Sequence, residues 1–161
     1  MWKDERLEKE FEETVVDIRR ISKKTKGGNT IRFSALVVVG DRKGQLGVGL
    51  AKATNVRGAI KKAVDSARRR MIRVPLTGTT IPYSVKEKFS AAYVLLKPAP
   101  AGSGIIAGGA VRAVLAAAGV RDAVGKILGT KNKISNVYAT MKALESITKL
   151  SENKQIRLKK S

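Results

Sequence analysis

Neither cysteine nor histidine occurs anywhere in this chain. Those two absences remove disulfides, thiolate and imidazole metal sites, Ser-His-Asp triads and Cys-His pairs. Aromatic residues make up only 4% of the sequence, with no run of the kind an RRM sheet uses to stack bases. Acids are scarce as well: 13 Asp and Glu stand against 33 Lys and Arg. Seven of those acids fall in residues 1–17, which hold only three bases, so no carboxylate pair has an evident pocket for acid–base work. Long apolar runs are missing too. The best, Ile105 to Val120, is broken by Arg112 and dotted with glycine, too short to span a bilayer. Met1 to Glu13 is charged and lacks the apolar core of a secretory signal. A reducing, cytosolic setting fits these absences, with no membrane, metal, cofactor or small-molecule substrate implied.

What remains is abundant positive charge on a chain that can fold. The apolar fraction of 43% in 161 residues supports a core and one domain or two small ones. The net charge of +20 is evenly shared: residues 1–74 carry 19 bases and 9 acids, and residues 75–161 carry 14 and 4. A field of that size repels itself in the compact state and draws polyanions, nucleic acid first and an anionic membrane surface well behind.

The stretch Ile18 to Arg73 organises the rest, with sixteen bases against Asp41 and Asp65. It begins as a weak strand pattern (Val15, Val16, Ile18, Ile21) that follows a short helical pattern from Asp4. A loop, Ser22 to Asn29, then sets Lys23, Lys24 and Lys26 beside Gly27 and Gly28. Ile31 to Val39 and Gln45 to Leu50 flank the turn cluster Gly40-Asp41-Arg42-Lys43-Gly44 and predict an antiparallel hairpin. Thr54-Asn55 can cap a helix in which Val56, Ala59, Ile60, Ala63, Val64, Ala67 and Met71 share one face. Arg57, Lys61, Lys62, Arg68 and Arg69 fall on the other, either solvated or set against phosphates.

Pro75 to Pro82 reads as a connection between two units. Beyond it, Tyr83–Phe89 and Ala92–Lys97 pattern as strands, Gly102-Ser103-Gly104 as a turn and Gly109–Ala118 as an Ala-rich helix. Val120–Leu128 is ambiguous between strand and helix. Ser135 can cap a last helix from Asn136 to about Thr148, and Ser151 to Ser161 is expected to fray. Gly102-x-Gly104-x-x-Ala107 has the letters of a dinucleotide fingerprint, but two prolines part it from the preceding strand. Gly119 to Lys126 is one residue too long for a P-loop and lacks its Ser/Thr. Gly44-Gln45-Leu46-Gly47 lies between strands, not between helices as in a KH domain.

Several longer strings occur together: Lys26-Gly27-Gly28, Ala35 through Asp41, Gly47-Val48-Gly49 with Ala51-Lys52-Ala53, Ala67-Arg68-Arg69, and Lys97 through Leu115. In this order they resemble the bacterial form of small-subunit ribosomal protein five, the S-five family, over roughly Phe11 to Ile147. The resemblance implies an α+β chain: an N-terminal double-stranded-RNA-binding-like domain (three-stranded antiparallel sheet plus helix, residues 11–74) followed by a small α/β two-layer domain (residues 75–150). Residues 1–10 would be an extension and residues 151–161 a basic flexible tail.

It also implies a non-enzymatic component of the 30S subunit that binds 16S rRNA beside small-subunit proteins four and eight, bridging head and body. With proteins three and four it would help line the mRNA entry channel, where mRNA is a possible contact. The implied surface around Gly104 and Arg112 meets protein four and bears on decoding accuracy. The residues expected at rRNA phosphates are Arg19, Arg20, Lys23, Lys24 and Lys26, with Gly27 and Gly28 letting the loop come close, and Arg57, Lys61, Arg68 and Arg69 on the helix. Shape would set the address and counterion release much of the affinity. The alternative is a free RNA chaperone or regulatory RNA-binding protein using the same basic face.

Overall fold

The computed structural model describes residues 11–160. The N-terminal extension, and with it most of the helix expected from Asp4, lies outside the described residues. Two four-stranded sheets and three helices make up the rest.

The first sheet has the order β1 (Glu12–Thr25), β2 (Gly28–Gly40), β3 (Gln45–Ala53), β4 (Ile72–Arg73), all antiparallel. The expected three strands are present, and a two-residue fourth closes the far edge. The eight-residue loop expected over Ser22 to Asn29 is not a loop. β1 and β2 stay paired out to Thr25 and Gly28, and only Lys26 and Gly27 turn. Gly28 takes φ 129°, which a side chain would resist, and the Thr25 hydroxyl donates to Gly28 O across the tip at 2.8 Å. At about 3.4 Å per residue each strand is a rod of roughly 45 Å.

Helix α1 (Val56–Arg69) lies across this sheet, its first turn capped by Asn55, whose Oδ1 accepts from Gly58 N at 2.7 Å. Ala59, Ala63, Val64 and Ala67 bury themselves against Ala35, Val37 and Val39. Small residues let backbone meet backbone here: a Cβ on Gly49 would come within 1.8 Å of Ala63 O.

The opposite face of β2 is equally buried. Leu36 and Val38, with Leu46 and Val48 of β3, join one apolar core with the second unit. Val74, just before the expected connection, and Ile81, within it, belong to that core. Arg42 N and Gly44 N donate to Ala117 O and Ala118 O, tying the β2–β3 turn to the end of helix α2 (Gly109–Ala118).

The second sheet runs β5 (Val85–Phe89), β6 (Ala92–Pro98), β8 (Ala123–Ile127), β7 (Ile105–Ile106). Only the β7–β8 pair is parallel. The ambiguous Val120–Leu128 segment thus resolves as a strand. Helices α2 and α3 (Lys133–Lys160) cover one face of this sheet. Helix α3 corrects two expectations. Its cap is Asn132, whose Oδ1 accepts from Ile134 N, so the helix starts three residues before Asn136. It then runs past Thr148 to Lys160, because no Gly or Pro interrupts a stretch rich in Lys, Glu, Gln, Leu and Arg.

Candidate nucleic-acid interface

Register decides where the cations of the first sheet point. Directly opposed residues of an antiparallel pair share a face, and alternate residues swap faces. Arg20 opposes Phe33, which packs with the α1 core, so Arg20, Ser22 and Lys24 look toward the helix side. Arg19 opposes Ser34, so Arg19, Ile21, Lys23 and Thr25 look the other way. A bulge between Val15 and Asp17 sets this phase.

On that second side Ile21, Lys23, Thr25, Thr30, Arg32 and Lys52 line a groove of about 350 Å³. Arg32 and Lys52 continue into a second groove of about 380 Å³ that reaches Asn55, Gly58 and Lys62 at the start of α1. Cations from β1, β2, β3 and α1 therefore meet at one end of the sheet. Arg32 and Lys52 were not singled out in the sequence. Neither lies in a basic run, and only strand register, Ile21 against Arg32 and Ser34 against Lys52, places them here. The alternation along Thr30-Ile31-Arg32-Phe33 was the available signal.

The expected residues divide. Arg20, Lys23, Lys24 and Lys26 stand exposed on the projecting hairpin, and a Cβ at Gly27 or Gly28 would meet nothing. Arg57 and Lys61 are exposed on the first turns of α1, near the same end. Arg68 lies roughly 16 Å beyond Arg57 and about 11 Å beyond Lys61 along the helix axis, at about 1.5 Å per residue, with Arg69 one step further. Arg68 is half-buried, bound to Glu13 at 2.9 Å, while Arg69 Nε donates to Asp65 O. Arg19 is likewise engaged, with Asp17 at 2.9 Å and with Asn132 Oδ1 at 3.1 Å, tying β1 to the start of α3. The sequence expectation sets these arginines at phosphates; the fold gives Arg19 and Arg68 internal partners.

Gly104 and Arg112 do come together. Both line a groove of about 370 Å³ with Arg42 and Arg121, which no local sequence pattern joins to them. Gly104 (φ 72°) donates its N–H to Asp122 Oδ1 at 2.9 Å. Asp122 is buried, and hydrogen bonds from Thr79, then from Gly104, hold its carboxyl below the usual range. The turn is thereby pinned to the start of β8. Strand β7 separates these glycines from α2, so the strand–turn–helix geometry of a dinucleotide fingerprint is not formed. Among the described residues no three Asp or Glu gather as a metal site.

An α+β scaffold with a cation-lined hairpin, and a second cationic groove where Arg42 of the first unit meets Arg112 and Arg121 of the second, presents the charge that a polyanion-binding protein uses. The family model for ribosomal protein S5, N-terminal domain, matches residues 11–75, and that for ribosomal protein S5, C-terminal domain, matches residues 87–157. The chain belongs to the ribosomal protein S5 family. That family is structural and non-enzymatic, its place is the ribosome, and its work in translation is to bind rRNA within the 30S subunit among other ribosomal proteins.

Proposed function

We propose that this chain binds 16S rRNA through the β1–β2 hairpin, bridging the head and body of the small subunit, and performs no catalysis. The observation that carries the reading is the clamped hairpin: Lys23 and Lys24 on β1 are paired to β2, Lys26 lies in the turn that joins the two, and the base of β2 from Ala35 to Val39 is held between two packed layers. A pre-formed projection presents its charges without first ordering a loop, and Gly27 leaves room for a phosphate to approach backbone N–H groups. Arg20, Arg32, Lys52, Arg57 and Lys61 extend the contact toward α1. Arg19 and Arg68 act chiefly in holding the scaffold, and Arg69, exposed at the far end of α1, lies away from the hairpin contact. On the family resemblance, proteins four and eight are neighbours, protein three shares the mRNA entry channel, and residues 11–74 and 75–150 act as the two units.

The test is sedimentation and footprinting of reconstituted particles. The full chain is expected to travel with 30S particles at physiological salt and to protect rRNA where the hairpin lies. The triple substitution Lys23→Gln, Lys24→Gln, Lys26→Gln should lower the slope of log affinity against log salt by about 2–3. A chain that stays in the light fractions would instead be a free RNA chaperone or regulator.

Accuracy follows from the groove at Gly104 and Arg112. If closing the subunit on correct tRNA parts this chain from protein four, weakening that contact favours the closed state. Arg112→Glu is expected to raise miscoding in a reporter assay, and unchanged miscoding would count against the contact.

A further inference from the structure

The second sheet has two unlike faces. Val85, Val94, Leu96 and Ala123 are buried beneath α2 and α3. The alternate residues point the other way: Lys86, Lys88, Tyr93, Leu95, Lys97 and Lys126. Among the described residues no helix or sheet packs on that side. The lysines are exposed and Tyr93 keeps 37% of its surface in solvent. Lys88 directly opposes Tyr93, and Lys86, Leu95 and Lys126 form a row across three strands. Two ammonium groups lie over the tyrosine ring, Lys86 Nζ at 5.3 Å and Lys88 Nζ at 5.4 Å from its centre.

No carboxylate of these strands offsets that charge. Glu87, their one acid, turns inward to the Ser146 hydroxyl at 2.7 Å. Four lysines crowded on a small sheet repel one another, which favours a polyanionic partner. The aromatic ring says which kind. Duplex RNA hides its base faces and is met by shape, whereas an unpaired base can lie on an exposed ring. Lysines at two-residue steps along a strand stand about 6.8 Å apart, so they can follow a backbone on either side of the stacked base. Where an RRM sheet offers two or three stacking rings, the outward face of β5, β6 and β8 carries one, Tyr93, among lysines.

We infer that this open face is a second nucleic-acid surface, separate from the hairpin, which takes single-stranded RNA with one base on Tyr93 and flanking phosphates on Lys86, Lys88 and Lys126.

The experiment uses the full chain carrying Lys23→Gln, Lys24→Gln and Lys26→Gln, so that the hairpin contributes little, and fluorescein-labelled octauridine read by anisotropy across a salt series. Tyr93→Leu is expected to weaken binding by about 5- to 150-fold with an unchanged salt slope, and Tyr93→Phe to retain it. Lys86→Gln, Lys88→Gln and Lys126→Gln together should lower the slope by about 2. Unchanged affinity in Tyr93→Leu overturns the inference. So does equal affinity for a base-paired octamer, or Tyr93-dependent binding of polyglutamate as tight as that of octauridine, which would make the face a site for acidic protein. Should Tyr93→Leu fail to fold, photo-crosslinking of the unsubstituted chain to a 4-thiouridine octamer decides: an adduct on Tyr93 supports the surface, and its absence overturns it.

Discussion

Asp122 shows how a single side chain can hold a turn. Its carboxylate accepts from Gly104 N, while its own N–H and that of Arg121 donate to Thr79 O. Because the folded state lowers its pKa, the stabilisation is fully present above the unfolded value near 3.9. It is lost as pH falls through the lower, folded-state value. Asp122→Asn is therefore expected to melt at a lower temperature than the parent at pH 7, with the gap closing as acid protonates the parent's carboxyl; melts by circular dichroism at several pH values check this. Nothing local in the sequence announced that role. Asp122 is eighteen residues from Gly104, and only the parallel β7–β8 pairing brings them together. Arg32 and Lys52 were hidden for the same reason, whereas Lys23, Lys24 and Lys26 were readable because they sit in one short run beside glycines.

Elements with a strong local signal were read well, and elements settled by partners were not. Helix α1 declares itself through its cap and the spacing of Ala59, Ala63 and Ala67, and α2 through its alanines. The hairpin tip looked like a loop because glycine and lysine are poor strand formers, yet cross-strand pairing carries the ladder through to Gly28. Strand β7, two residues long, has no pattern to read. The end of α3 lies beyond the expected Thr148, because nothing in the polar residues that follow stops a helix. The seat of α1 on β3 yields a sharp prediction. Gly47 and Gly49 stand where a Cβ would strike Ala67 O and Ala63 O, within 2.2 and 1.8 Å. Gly49→Ala should cost at least about 3 kcal/mol, the upper part of the usual overpacking range, since rigid backbone must move. Urea denaturation measures it.

At the scale of the whole molecule, one core serves both sheets. Leu36, Val38, Leu46 and Val48 of the first unit pack with Val114, Leu115 and Leu144 of the second. Heating should therefore give one calorimetric transition with matching van't Hoff enthalpy, not two separate peaks. The global charge of +20 works against that compact state and favours large polyanions. Both facts bear on β2, the strand buried on both faces from Ala35 to Val39 and yet continuous with the tip. A beam gripped at its root behaves as a cantilever, so the tip's position is inherited from the body and not searched for anew at each encounter. Inserting one residue into each arm beyond Arg20 would advance the three lysines outward by about 3.4 Å and turn each to the opposite side, while leaving the grip untouched. Reach and aim are thus written in strand length and parity, independently of what holds the root.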